Sequence, residues 1–220
     1  MTTPQQPDPL SRLSETLSTE YQQSRQGQRD SVIAELKQVI ERMPEQTEFT
    51  NTRRYQIFGP VLVLISLGIL AAGVSMGKTG LMVCGGFMVL LFALVTWQHR
   101  NAGKHPFMRL TRRQLFVDSL SAPVELTDVV DLYVKDEGLL TLQHLTLKPG
   151  ANLPAHRSVK QVFGNQAMAL AKPEPHIRIH SAGLMTAGSK LSCDDTAALL
   201  NAYVQAAHAQ QRLDALLKNG

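Results

Sequence analysis

Two apolar segments lie almost back to back in the middle of this chain. They run from Ile57 to Met76 and from Leu81 to Trp97, and neither contains Asp, Glu, Lys, Arg, Asn or Gln. At about 1.5 Å of rise per residue, a helix over the first segment is roughly 30 Å long, the thickness of the hydrocarbon core of a bilayer. The pattern predicts a transmembrane helical hairpin over residues 53–100. A buried hairpin of a soluble protein is the disfavoured alternative, because the chain has few other apolar stretches.

Aromatic and basic residues at the segment ends predict an orientation. Tyr55 and Trp97 stand at the outer ends, where aromatic rings favour the membrane interface. Bases also concentrate at the outer ends: Arg53, Arg54, Arg100 and Lys104 stand there, against Lys78 alone in the connecting loop. Because positive charge is retained on the cytoplasmic side, we expect a multi-pass protein of the inner (cell) membrane with both termini in the cytoplasm.

The net charge of +4 is concentrated just after the second segment. The bases of residues 99–120, against Asp118 as the acid there, are Arg100, Lys104, Arg109, Arg112 and Arg113. A basic cluster beside a membrane is attracted to anionic headgroups by about 1 kcal/mol per residue, so these side chains are predicted to contact the membrane surface. The alternative is that they only enforce the topology. A nucleic-acid partner is not expected, because the cluster is tied to the bilayer surface.

The first 52 residues are expected to form an N-terminal extension with one or two amphipathic helices. Two sets of apolar residues recur at helical spacing: Leu10, Leu13, Leu17 and Tyr21, and then Val32, Leu36, Val39, Ile40 and Met43. Such a stripe must pack on the protein's own domain, a second copy, a partner or the membrane surface. The acids Glu35, Glu41 and Glu45 favour protein over membrane. Residues 44–52 are expected to be a linker.

Small residues recur at four-residue spacing in the first apolar segment: Gly68, Ala72, Gly73 and Gly77. Small residues let membrane helices approach closely. We expect them to serve the contact between the two helices of the hairpin, and a homodimer through the same residues is the alternative.

Residues 105–220 have the pattern of a small antiparallel sheet followed by a helix. Short runs rich in Val, Leu and Thr, separated by turn residues, predict strands. These strands are predicted over 107–111, 114–119, 124–134 and 139–147, with weaker ones over 158–163, 167–171 and 176–180 and a turn region over 183–189. Ser192 and Asp195 form an S-x-x-D signal for the start of a C-terminal helix. The predicted fold class is therefore a membrane protein of the α+β type.

The run RLTRRQLFVDSLSAPVELTDVVDLYV, from Arg109 to Val134, resembles the opening of bacterial PH-like domains that follow membrane helices. The ending GSKLSCDDTAALLNAYV, from Gly188 to Val204, resembles the strand-to-helix junction of the same class. The resemblance implies a small antiparallel sheet or barrel closed by a C-terminal helix, in a cytoplasmic domain that binds a lipid, a peptide or a protein.

No cofactor or metal site is expected. The pattern AxxxxGKT over residues 72–79 fits a relaxed phosphate-binding loop, but it follows a long apolar run instead of a short strand. His176 and His180 lie four apart on a predicted strand, and hence about 13 Å apart, too far to bind one ion. We expect them to be surface histidines. Cys84 and Cys193 are expected to be reduced, because one lies in the membrane segment and the other outside it.

Catalysis is not expected either. Four acids cluster in the predicted sheet: Asp128, Asp131, Asp136 and Glu137. The first two are expected on opposite strand faces and the last two in a turn, so no acid/base pair is formed. The sequence favours a membrane-anchored adaptor or regulatory protein whose domain binds a protein partner or a lipid headgroup. A membrane-embedded immunity protein against a membrane-active toxin is the alternative.

Overall fold

The computed structural model describes residues 9–138, 140–159 and 164–218, with side chains from residue 17 onward. Within this part the chain forms four α-helices and ten β-strands, and all the strand pairs are antiparallel. The predicted α+β class is therefore confirmed.

The first helix, α1, runs without a break from Pro9 to Glu41, so the polar stretch between the two apolar sets does not interrupt it. Its second half packs on the C-terminal helix α4 (Cys193–Lys218), where Ile40 is buried against Leu213. Arg29 donates a hydrogen bond to the carbonyl oxygen of Leu216 at 2.6 Å. The two helices are antiparallel, because Arg29 contacts Leu216 near the end of α4 whereas Pro44, just after α1, contacts Tyr203 near its middle. The sequence left open whether this helix packs on the protein's own domain, a second copy, a partner or the membrane surface. In the structure, α1 packs on the protein's own domain.

The two apolar segments form the helices α2 (Arg54–Ser75) and α3 (Thr79–Gln98), which we call the apolar hairpin. Both are long and apolar enough to cross a membrane, with mean hydropathies of 2.5 and 2.2. They pack closely because glycines lie at their contact. A Cβ atom on Gly73 would lie 2.7 Å from the backbone nitrogen of Met82, and one on Gly85 would lie 2.7 Å from that of Leu70.

The segment before the hairpin is a strand, and the prediction of a linker over residues 44–52 is wrong. Strand β1 (Gln46–Asn51) pairs with β2 (Pro106–Thr111), with Phe49 opposite Met108. Phe49 is fully buried in the main core, which stabilises a strand whose other residues are mostly polar. The apolar hairpin is therefore an insertion between two hydrogen-bonded neighbouring strands, and the globular domain includes residues on both sides of it.

The strands form two open sheets, not a closed barrel. The first has the order β10-β9-β1-β2-β3-β4 and the second β5-β6-β8-β7. The remaining strands of the first sheet are β3 (Gln114–Val117), β4 (Val124–Glu125), β9 (Leu184–Thr186) and β10 (Ser189–Lys190). Those of the second are β5 (Val129–Asp136), β6 (Thr141–Leu147), β7 (Gln166–Leu170) and β8 (His176–Ser181).

Three strand predictions need correction. The strand predicted over 124–134 is broken by a 3-10 turn at Leu126–Asp128, and its two halves belong to different sheets. The turn region predicted over 183–189 contains β9 and the start of β10. Of the strand predicted over 158–163, residues 158 and 159 are not in a strand and 160–163 lie outside the described residues.

The main core lies between the sheets and α4, with Tyr203 fully buried in it. The Tyr203 hydroxyl lies 2.6 Å from Oγ1 of Thr47 and donates to the carbonyl oxygen of Pro44 at 3.2 Å. The predicted start of α4 is confirmed. The amide of Asp195 donates to the Ser192 hydroxyl at 3.0 Å, and the amide of Ser192 donates back to the Asp195 carboxylate at 3.2 Å. Hydrogen bonds from Ser192 lower the pKa of Asp195.

Candidate functional site at the base of the apolar hairpin

A cleft of about 390 Å³ lies where α3 ends and β2 begins, which is the base of the apolar hairpin. We call it the base cleft. Its volume falls in the range of small-molecule pockets in proteins, about 300–1,000 Å³. The polar residues of its lining that matter below are Asn51, His99, His105, Asp118, Arg157 and Asn165.

One wall of the base cleft is the C-terminal end of α3, and Gln56 of α2 holds it in place. The last carbonyl groups of a helix have no partner within the helix. The side-chain nitrogen of Gln56 lies within hydrogen-bond distance of three carbonyl oxygens that follow α3, those of His99, Arg100 and Ala102, at 3.0, 2.8 and 3.1 Å. Hydrogen bonds from Gln56 therefore connect this wall to the start of α2.

A second wall is the end of β1, where Asn51 pairs with Leu184 of β9. The next residue, Thr52, is buried and its hydroxyl donates to the carbonyl oxygen of Ala182 at 2.6 Å. These contacts fix the backbone at Asn51. Its side-chain oxygen is buried and has no hydrogen-bond partner among the described residues. Because this oxygen is closed to solvent, it is not exposed to a ligand in the cleft.

The third wall brings Asp118 and Arg157 together. The amide of Asp118, just after β3, donates to the carbonyl oxygen of Phe107 at 3.0 Å. The amide of Arg157 donates to the carbonyl oxygen of Ser119 at 2.9 Å, so the backbone holds Arg157 beside Asp118 in space. Both side chains are exposed, and within the described residues neither makes an ion pair. An acid and a base thus lie side by side at the cleft and remain available to a ligand.

The five bases predicted at the membrane surface are not all at the hairpin. Arg100 and Lys104 are exposed and lie next to the end of α3, with the guanidinium of Arg100 5.1 Å from the ring centre of Trp97. Arg109 lies along β2, where its guanidinium is 4.9 Å from the ring centre of Phe116.

Arg112 and Arg113 lie at the opposite end of β2 from the hairpin, roughly 17 Å along the strand. Arg112 donates to the carbonyl oxygen of Met43 through Nε at 3.0 Å and Nη2 at 2.7 Å. Arg113 forms an exposed ion pair with Asp214 of α4 at 2.8 Å. Their contacts are with the segment after α1 and with α4.

A second polar group lies on the outer face of the second sheet. The ring of His144 stacks between Tyr133 and His176, with 4.7 Å between ring centres on each side. The pKa of His144 is lowered by burial first, then by His176 and Arg178, while Asp131 opposes the change. The expectation that His176 is a surface residue is wrong, because only 7 % of it is exposed.

The other motifs are placed as follows. The residues Gly77 and Lys78 of the AxxxxGKT pattern form the tight turn between α2 and α3, so no strand precedes them. Asp128 forms an ion pair with Lys148 at 2.6 Å, and Asp136 accepts a hydrogen bond from the amide of Gly138 at 2.7 Å. In the described ranges no three His, Cys, Asp or Glu side chains are grouped so that they could hold a metal ion.

Sequence reasoning did not identify Asn51, Asp118 and Arg157 as site residues. Asn51 fell in the predicted linker and Arg157 in weakly patterned sequence, and their proximity depends on pairings between distant segments. The signal that could have been used is the alternation in QTEFTN (residues 46–51), which contains one strongly apolar residue.

Comparison with known protein families, curated proteins and solved structures finds no match to this chain.

Proposed function

We propose that this protein is an integral protein of the inner membrane that binds a phospholipid headgroup in the base cleft. In this proposal α2 and α3 cross the bilayer, both termini are cytoplasmic, and the role is binding and not catalysis. The observation that carries the proposal is the position of the cleft. It lies at the end of α3 beyond Trp97, the level at which headgroups meet a membrane-spanning helix.

The side chains around the cleft support the proposal. Arg157 and His105 supply N–H donors of the kind that bind phosphate oxygens. Arg100 and Lys104, next to the cleft, add attraction for a negatively charged surface. A headgroup held here would fix the domain against the bilayer, which suits an adaptor or regulatory role near the membrane. We also propose that the globular domain is related to PH-like domains. In this relation, two open sheets and a C-terminal helix take the place of a closed barrel with its helix.

The headgroup proposal is tested by native mass spectrometry of the detergent-solubilised protein. We expect retained phospholipid on the wild type, and at least a severalfold loss with Arg157→Gln. Arg212→Gln removes the same charge from an exposed site on α4 and should retain the lipid. Equal lipid retention by the two variants would refute the role of the cleft.

The proposed topology is tested with the natural thiols. A membrane-impermeant maleimide should label Cys193 in inverted membrane vesicles and not in intact cells, with labelling in detergent as the positive control. The experiment uses the Cys84→Ser variant, so that no label attaches to a thiol within α3. Labelling of Cys193 in intact cells would place the domain on the opposite side of the membrane.

A protein partner is a second proposal, favoured by the first half of α1. Arg29 contacts Leu216 near the end of α4, so residues 9–28 extend past that end by roughly 30 Å. On this part Leu17 and Tyr21 are 57 % and 65 % exposed. An apolar stripe on an unpacked helix is a common way of binding another helix. The test compares the proteins that co-purify with the wild type, with the double variant Leu17→Ser/Tyr21→Ser and with the control Arg212→Gln. Loss of a co-purified protein from the double variant alone would support the proposal. An unchanged set of co-purified proteins would count against it.

The homodimer is proposed through Gly68 and Ala72. Both are exposed on α2, and no atom lies within 4 Å of a Cβ placed on Gly68. Gly73 is used by the contact with α3, and Gly77 lies in the turn with φ +63°. Crosslinking in membranes that is lost with Gly68→Leu would support the dimer, whereas crosslinking unaffected by Gly68→Leu would exclude this face.

A further inference from the structure

We propose that the headgroup bound in the base cleft is a zwitterion with a primary ammonium beside its phosphate, as in phosphoethanolamine. This inference rests on the proposed function, because it names the headgroup class for the same cleft. It comes from two exposed side chains that line the cleft without a hydrogen bond or ion pair of their own among the described residues: Asp118 and Arg157.

The pair of opposite charges excludes a purely anionic headgroup as the best ligand. Arg157 attracts the phosphate, but the adjacent Asp118 carboxylate repels any further negative charge. A headgroup with both signs satisfies both side chains. The backbone hydrogen bond from Arg157 to Ser119, at 2.9 Å, keeps the base next to the acid, so both act on one ligand.

Asp118 favours a primary ammonium over a quaternary one. Its carboxylate is exposed at the cleft and forms no ion pair among the described residues. A primary ammonium has three N–H donors, so it forms a charge-assisted hydrogen bond with this carboxylate. A trimethylated ammonium has no N–H donor, so it offers Asp118 charge alone.

His105 completes the arrangement on the phosphate side. It is exposed, lines the same cleft and lies one residue before β2, close to the end of α3. Its ring N–H supplies a donor to the phosphate in addition to the guanidinium of Arg157. The cleft thus has donors for the phosphate and acceptors for the ammonium.

The test uses the full-length protein in nanodiscs that contain equal amounts of phosphatidylethanolamine, phosphatidylcholine and phosphatidylglycerol with identical acyl chains. Native mass spectrometry after release measures which lipid is retained. We expect the ethanolamine lipid to be enriched over the choline lipid by about fivefold, the effect of one net hydrogen bond. Asp118→Asn should reduce this ratio and shift retention toward the glycerol lipid. Asp118→Glu should preserve the preference, and Asp131→Asn, an exposed acid on the second sheet, is the matched control.

The outcomes distinguish failure of the inferred headgroup class from failure of headgroup binding itself. Preference for the choline or glycerol lipid, with retention still dependent on Arg157, would overturn the zwitterion inference and leave headgroup binding in place. Lipid retention independent of Arg157 would overturn both. Displacement of the lipid by micromolar soluble O-phosphoethanolamine would identify the free ester as the ligand and overturn the lipid as its source.

Discussion

The side-chain nitrogen of Gln56 lies 2.8 Å from the carbonyl oxygen of Arg100, and this hydrogen bond joins the start of α2 to the residues that follow α3. The same nitrogen lies within 3.1 Å of the carbonyl oxygens of His99 and Ala102. The two N–H groups of this amide serve carbonyls that follow the helix, and the carbonyl of His99 also accepts from the amide of Ala102 at 2.9 Å. It also shapes one wall of the base cleft.

Replacing this amide should loosen the base of the hairpin. Gln56→Ala removes the donor and leaves carbonyl groups unsatisfied, which is expected to cost about 1–3 kcal/mol of stability. Thermal unfolding in detergent should show a lower midpoint than for the wild type. Gln205→Ala, an exposed glutamine on α4, is the control. Equal midpoints for the two variants would show that water replaces Gln56 without loss.

Replacing each of two adjacent glycines in α3 by alanine should affect the stability of the hairpin differently. A Cβ on Gly85 would lie 2.7 Å from the Leu70 backbone, whereas one on Gly86 meets no atom within 4 Å. Gly85→Ala should destabilise the hairpin by about 1–3 kcal/mol because the helices must separate. Gly86→Ala should have little effect. Chemical denaturation in micelles measures both, and a neutral Gly85→Ala would mean that the two helices are not in close contact.

Tyr203 should be important for keeping the segment before the hairpin in the fold. Tyr203→Phe removes a hydroxyl that contacts Thr47 and Pro44 inside the protein, with an expected cost of about 1–2 kcal/mol. Tyr21→Phe removes a hydroxyl from a side chain that is 65 % exposed and should be neutral. Urea denaturation followed by circular dichroism compares them. Identical midpoints would argue that residues 44–47 do not pack on α4.

Stability should fall as the pH decreases below neutrality. The pKa of His144 is lowered from 6.5, mainly by burial and then by His176 and Arg178. The unfolded chain therefore binds protons first, so the stabilisation is present above pH 6.5 and is lost as the pH falls toward the folded-state pKa. The pKa of His180 is lowered as well, mainly by burial and then by Arg178, and its contribution has the same sign.

The measurement is the urea midpoint between pH 5 and pH 8. His144→Gln should make the pH dependence shallower, with the remaining slope due in part to His180. His208→Gln, on α4, should leave the profile unchanged. A profile for His144→Gln that is as steep as the wild type would assign the pH dependence to other groups.

The globular domain should fold without the apolar hairpin. Its main core contains no residue of α2 or α3. Replacing residues 53–104 by a short Gly/Ser turn would join β1 to β2, which already pair as antiparallel neighbours. We expect a monodisperse protein in buffer without detergent, with cooperative unfolding. Aggregation of this variant, together with loss of its β-sheet signal, would show that the hairpin is needed for folding.

The hairpin was predictable because its signal is local and strong. Two uncharged runs, over residues 57–76 and 81–97, specify helices long enough for a bilayer whatever the rest of the chain does. The start of α4 was predictable for a similar reason, since Ser192 and Asp195 bond to each other three residues apart. The strands β2, β3 and β6 also follow short local runs that contain Val, Leu or Thr, and β8 follows the alternation of Ile with polar residues in HIRIH.

Features that depend on distant pairing were not predictable. Strand β1 contains Phe49 as its single fully buried residue and is stabilised by β2, which lies beyond the entire hairpin. The break at Leu126–Asp128 lies within a run rich in Val and Leu that favours one continuous strand, and only the change of sheet reveals it. The base cleft depends on the same distant contacts, because Asn51, Asp118 and Arg157 come from three separate parts of the chain.

The insertion of α2 and α3 between β1 and β2 gives the domain two covalent connections to the hairpin, at adjacent positions of one sheet. A domain on a single flexible tether would rotate freely about it. Two neighbouring strands restrict such rotation. If α2 and α3 cross a bilayer as proposed, these two connections keep one face of the domain turned toward the lipid.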